Sequence, residues 1–115
     1  MLFSSDRGLT HSPAPPRVAQ FEFPSDARQG SRISVVCLTR SGQPPFHFHW
    51  SKNGQPLSRE DRITMSSTED ASVLTFRQLR TEDVGNYTCH VKNIEGTDGF
   101  TAFLRMKSEF EEIAL

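Results

Sequence analysis

Cysteine is nearly absent: the 115 residues hold two, Cys37 and Cys89. Two thiols exclude a small disulfide cage and a four-cysteine zinc site, and leave room for one structural bridge. Tryptophan and tyrosine occur once each, as Trp50 and Tyr87, whereas phenylalanine occurs nine times. Neither sign of charge is in excess. Thirteen Lys+Arg face 14 Asp+Glu, which removes the electrostatic case for nucleic acid or an acidic membrane. No run approaches the roughly 18 apolar residues needed to span a bilayer. Met1–Thr10 includes Asp6 and Arg7 and lacks the apolar run of a signal peptide, so any anchor or secretion signal would lie outside this sequence. Gly-x-Ser-x-Gly, His-Glu-x-x-His and phosphate-binding glycine loops are missing as well. The expectation is no enzyme, no cofactor and no small-molecule substrate. Adjacent acids such as Glu60-Asp61 and Glu111-Glu112 read as solvated charges. At 115 residues there is length for one domain. With 35% hydrophobic residues and a mean hydropathy of −0.51, its core is lean.

What is present is short alternating runs punctuated by turn signals, the pattern of an all-β sandwich. Residues 1–15 are polar, end in Ser12-Pro13-Ala14-Pro15 and read as a flexible leader; residues 108–115 are acidic and read as a tail or linker. Residues 16–107 form the domain. Period-2 patterning predicts strands over Arg17–Phe23 (in two parts), Ser31–Thr39, Phe46–Ser51, Arg62–Ser66, Ser72–Phe76, Gly85–Asn93 and Gly99–Met106. Asn53-Gly54 is a hairpin signal, and Arg80–Val84 a short helical turn.

One constellation is specific. Trp50 follows Cys37, and Cys89 closes the segment Asp83-Val84-Gly85-Asn86-Tyr87-Thr88-Cys89, an Asp-x-Gly-x-Tyr-x-Cys pattern. The combination resembles an immunoglobulin domain, a two-sheet sandwich with one inter-sheet disulfide. The resemblance implies a Cys37–Cys89 bridge between sheets about 10 Å apart, with Trp50 and Leu74 packed beside it. Tyr87 would pin a corner through its hydroxyl, and Arg62 would pair with Asp83 at the base. A bridge closing such a loop adds roughly 4 kcal/mol by the chain-entropy argument. Such a bridge implies an oxidising compartment; the alternative is a cytosolic domain with reduced thiols, as in muscle filament proteins. Asn86-Tyr87-Thr88 is an N-glycosylation sequon, and since Tyr87 points inward, Asn86 points outward.

Longer stretches narrow the resemblance: Pro15-Pro16-Arg17-Val18-Ala19-Gln20-Phe21-Glu22-Phe23, the run from Cys37 through Gln43-Pro44-Pro45-Phe46-His47-Phe48-His49-Trp50 to Leu57, Ser72-Val73-Leu74-Thr75-Phe76, and Gly85-Asn86-Tyr87-Thr88-Cys89. These resemble the Down syndrome cell adhesion molecule (Dscam) family of arthropods, in particular its seventh immunoglobulin domain and the N-terminal domain of the shortened chelicerate forms. Gln20 departs from the pattern, which has Pro before Phe21. The resemblance implies an extracellular, cell-surface domain of a single-pass membrane glycoprotein used in neuronal recognition. It implies homophilic pairing with an identical domain on another molecule, as an antiparallel homodimer. A spacer or heterophilic receptor domain is the alternative.

The sheet of strands A (Arg17–Phe23), B (Ser31–Thr39), E (Ser72–Phe76) and D (Arg62–Ser66) is the expected pairing face. Its outward residues are Ser34, Val36 and Leu38, then Val73, Thr75 and Arg77, then Thr64 and Ser66, an apolar strip with a polar rim. The usual register would place Cys37 opposite Leu74, Val36 beside Thr75 and Leu38 beside Val73. Arg77 beside an acid such as Glu69 or Asp70 would supply an attractive rim. The opposite sheet turns His49 and His90 outward as cross-strand neighbours, with His47 and Lys92 one step along. His47, His49 and His90 are weak metal candidates; solvated surface histidines are the simpler reading.

Overall fold

In the computed structural model of the chain, residues 14–108 are described. Most of the expected leader and tail therefore lie outside the described residues. Strands run in the order β1 Arg17–Val18, β2 Ile33–Ser41, β3 His47–Lys52, β4 Gln55–Pro56, β5 Ile63–Ser67, β6 Ala71–Phe76, β7 Gly85–Asn93 and β8 Gly96–Leu104, with one 3-10 turn at Thr81–Asp83. They form two four-stranded sheets, β1-β2-β6-β5 and β4-β3-β7-β8, with every pairing antiparallel. The first is the expected A-B-E-D sheet.

Alternation decides which side chains are inside. Ile33, Val35 and Cys37 of β2 are buried, while Ser34, Val36 and Leu38 are exposed. Leu74 and Phe76 meet them from β6, and Trp50, Tyr87, Cys89, Val91 and Leu104 from the other sheet. Cys37 and Cys89 are bridged, with Cα atoms 6.4 Å apart. Phe76 and Phe23 both lie edge-on to Tyr87, at 5.4 and 5.6 Å between ring centres. Phe23 and Phe76 thus offset the scarcity of other aromatics in the core. At Asn53 and Gly54 φ is +50° and +85°, as the two-residue turn between β3 and β4 requires.

Two expectations need correction. The second part of the first strand, expected within Arg17–Phe23, does not form: the ladder with β2 covers Arg17–Val18, with an irregular register, and ends on the Ala19 N–H bond to the Leu38 carbonyl. Beyond it the chain leaves the ladder because its phenylalanines are drawn into the sandwich. Phe21 packs against Trp50 and Phe100, and Phe23 is buried. The β2–β6 register also differs from the expected one by two residues. Cys37 lies opposite Ser72, Val35 opposite Leu74, Val36 opposite Val73 and Leu38 opposite Ala71. A two-residue slip keeps every side chain on its face but changes its neighbours. Ser72 belongs beside the bridge because its hydroxyl accepts the Trp50 Nε1–H at 2.9 Å; a leucine would leave that buried donor unpaired.

Candidate functional site

The outer face of β1-β2-β6-β5 carries three rows of side chains fixed by the register. Ser34, Thr75 and Thr64 form one row, Val36, Val73 and Ser66 the next, and Leu38 with Ala71 the third. Ser34 Oγ and Thr75 Oγ1 are 2.8 Å apart, so the first row is hydrogen-bonded within the sheet. In the other two rows the β2 and β6 members are apolar, with Ser66 at the rim, and Val36 and Leu38 are 48% and 45% exposed. Ala71 belongs to this patch although sequence reasoning placed Val73 beside Leu38; only the observed register brings it in.

Charge is split between the two ends of the patch. The residue before Ile33 and the residue after Phe76 are Arg32 and Arg77, both exposed and each next to the last pair of the β2–β6 ladder. Neither has an ion-pair partner among the described residues. At the other end stand Arg40, Glu69 and Asp70, where Thr39 N–H donates to the Asp70 carbonyl at 2.9 Å. Two like charges side by side on neighbouring strands are mildly unfavourable in an isolated sheet.

The outer face of the second sheet is different in kind. His49 pairs with His90, His47 with Lys92, and Trp50 with Cys89 behind them, as expected. The His49 and His90 rings are 5.5 Å apart, and His90 Nε2 is 3.0 Å from Ser51 Oγ. His47 remains exposed on the same face. The three imidazoles do not converge: among the described residues no group of three or more His, Cys, Asp or Glu is placed to hold a metal ion. Asn86 is exposed on this face, and its main chain is bonded on both sides to Asn53.

The base of the sandwich holds the charges that sequence singled out. Arg62 Nη1 and Nη2 donate to Asp83 Oδ2 and Oδ1 at 2.7 and 2.9 Å, a bidentate pair. Glu60 Oε1 is 3.2 Å from Arg62 Nε but off its N–H direction, so it acts through charge alone. The Asp83 hydrogen bond is the main reason the Arg62 guanidinium is held protonated even more firmly than usual. Asp83 Oδ2 also accepts the Arg80 N–H at 2.7 Å. Tyr87 Oη–H donates to the Asp83 carbonyl at 2.6 Å. Burial first, then the neighbouring Asp83 charge, pushes the Tyr87 hydroxyl well above its ordinary value. Every group in this cluster has a structural role, which leaves none poised as an acid or base.

Sequence reasoning missed Asn93. It is 4% exposed, and its Nδ2 donates to the Ala14 and Gln43 carbonyls at 2.8 and 2.9 Å. Its Oδ1 accepts from the Glu95 and Gly96 N–H groups at 2.8 and 3.0 Å. One amide thus joins the entry of the chain, the β2–β3 loop and the β7–β8 turn. An Asn just before Glu95-Gly96 was the available signal, but it pointed only to the turn.

Comparisons with known proteins agree with this architecture. The cell adhesion molecule DSCAML1 of Gallus gallus is 34% identical over 83 residues, which is 72% of this chain and 4% of that protein. The membrane-bound isoform of pro-neuregulin-2 of Mus musculus is 35% identical over 81 residues, 69% of this chain and 11% of that protein. The chain therefore spans a small part of the curated relatives it matches. The crystal structure of Dscam1 Ig7 domain, isoform 9, is 30% identical with a TM-score of 0.75, covering 81% of this chain and 100% of that one. The immunoglobulin I-set domain pattern matches residues 16–106. That match runs across both sheets and omits only the flanks, so the chain belongs to the immunoglobulin I-set domain family.

Proposed function

We propose that this is an extracellular cell-adhesion domain that pairs homophilically through the outer face of β1-β2-β6-β5. The observation that carries the reading is the paired apolar strip of Val36, Leu38, Val73 and Ala71 at the centre of that face. Its charged ends favour one orientation. A face meets its own copy about a two-fold axis lying in the interface. With that axis along the strands, Arg32 and Arg77 would face the same two arginines of the partner. With the axis across the strands, near Val36 and Val73, each strand meets its copy antiparallel. Arg77 then meets the partner's Glu69, since both positions are equidistant from Val73. Arg32 falls near the partner's Arg40, but Glu69 and Asp70 at that end leave it net acidic. The antiparallel homodimer is therefore the arrangement electrostatics supports. Similarity to cell adhesion molecules favours adhesion over catalysis.

Every side chain near the axis meets its own copy, so one substitution acts twice, which suits isoform-specific recognition. The test is charge reversal on one strand. Arg77→Glu should weaken self-association, and mixing it with Glu69→Arg should give a heterodimer, measured by sedimentation velocity. Self-association that is indifferent to both changes would point to another face. A spacer or heterophilic domain predicts monomers throughout.

A further inference from the structure

Phe103 is the aromatic residue that the fold leaves unexplained. It is 53% exposed, points outward from β8, and has no ring partner among the described residues. Its directly opposed neighbour on β7 is Asn86. Opposed side chains on an antiparallel pair have Cβ atoms about 4.5–5.5 Å apart. Asn86 is the acceptor position of Asn86-Tyr87-Thr88. Its main chain is closed against Asn53 by bonds of 2.8 and 2.9 Å, while its side chain takes no hydrogen-bond partner among the described residues. Tyr87 points into the core and Thr88 shares the outer face, so the sequon is displayed on one side of a fixed strand.

We propose that Asn86 carries an N-linked glycan whose first N-acetylglucosamine lies on the ring of Phe103. In the transfer, the Asn86 amide nitrogen bonds to C1 of the sugar. The bond from C1 to the diphosphate of a lipid-linked oligosaccharide donor breaks, the lipid diphosphate leaves, and the amide loses one proton to solvent. The first sugar then projects across the strand pair, where one face of its ring, made of C–H groups, meets the electron-rich face of an aromatic ring. This covers an apolar surface that would otherwise be exposed to water. It also blocks the second sheet as a docking surface while leaving the outer face of β1-β2-β6-β5 free.

The proposal rests on the extracellular part of the functional reading, because transfer occurs on the secretory route. The test expresses the full chain behind a secretion signal in animal cells and measures its intact mass. One N-glycan lost on Asn86→Gln is the expected result; a secreted, disulfide-bonded chain without it overturns the proposal and leaves adhesion standing. Three forms are then melted: fully glycosylated, trimmed by an endoglycosidase to one N-acetylglucosamine, and fully deglycosylated by an amidase, with Asn86→Gln as a second unglycosylated form. The first two should melt together, about 4 °C above the others, the scale of one modest contact in a domain of this size. In a Phe103→Ala background all forms should coincide. A gap that persists without Phe103, or one lost on trimming to a single sugar, overturns the stacking. Loss of self-association in unglycosylated Phe103→Ala with no gap in the parent assigns Phe103 to a protein contact instead, and equally overturns it. A glycosylated chain that stays monomeric would contradict homophilic pairing without touching this proposal.

Discussion

Asp83 serves three residues at once. Its carboxylate takes both Arg62 nitrogens and the Arg80 N–H, and its carbonyl takes the Tyr87 hydroxyl. Its side chain is only 3% exposed, and that of Arg62 only 12%. Asp83→Ala should therefore cost about 3 kcal/mol, since it strands a largely buried guanidinium. Urea unfolding measures this, and a loss below about 0.5 kcal/mol, the usual surface value, would contradict it. Tyr87 gives a pH signature. Its folded hydroxyl titrates above the unfolded one, so the folded state holds that proton more tightly. The stability it contributes is complete below about pH 10, the ordinary tyrosine value, and is lost as pH rises beyond it. Tyr87→Phe should remove that part of the alkaline slope and cost about 1 kcal/mol at neutral pH from the lost hydrogen bond. An identical alkaline slope in wild type and variant would contradict the assignment. The bridge between Cys37 and Cys89 should contribute roughly 4 kcal/mol, so Cys37→Ala with Cys89→Ala should shift the urea midpoint strongly downward.

Strand by strand, alternation in the sequence was enough to sort inside from outside. Cys37, Trp50, Leu74, Tyr87 and Cys89 are buried, and Ser34, Val36, Leu38 and Asn86 are exposed, as the period-2 pattern requires. The Arg62–Asp83 pair and the Tyr87 hydroxyl bond were legible because Asp83 and Tyr87 sit at fixed offsets before Cys89 and Arg62 stands at the start of a predicted strand. Register between β2 and β6 was not legible. No short turn joins them, so no loop length fixes the pairing, and the choice depends on a tertiary bond from Trp50 to Ser72. The second part of Arg17–Phe23 departs for a related reason: its alternating pattern is real, but Phe21 and Phe23 gain more by packing toward the core than by staying in a ladder. Asn93 was missed because its partners at Ala14 and Gln43 are distant in sequence. At this scale Val36→Asp should abolish self-association while changing stability by no more than about 0.5 kcal/mol, as expected for an exposed strand position. A variant that still associates would remove Val36 from the interface.

For the whole molecule, the near-neutral charge of −1 means that no global field selects the partner. In the proposed pairing, selection would fall to a local pattern: an apolar centre, two arginines at one end, and Glu69 and Asp70 at the other. A single sheet face is a small contact, so one domain should pair weakly. Several domains on one chain would raise avidity without new contacts, because linked sites act at high effective concentration. The same pattern predicts salt dependence: the antiparallel rim should weaken as ionic strength rises, while the apolar centre persists. The most direct test of the central claim is sedimentation equilibrium of the isolated chain across the micromolar range. Homophilic pairing predicts that the weight-average mass rises with concentration from 13.0 kDa toward twice that value; a mass that stays at 13.0 kDa up to the highest concentration would contradict it.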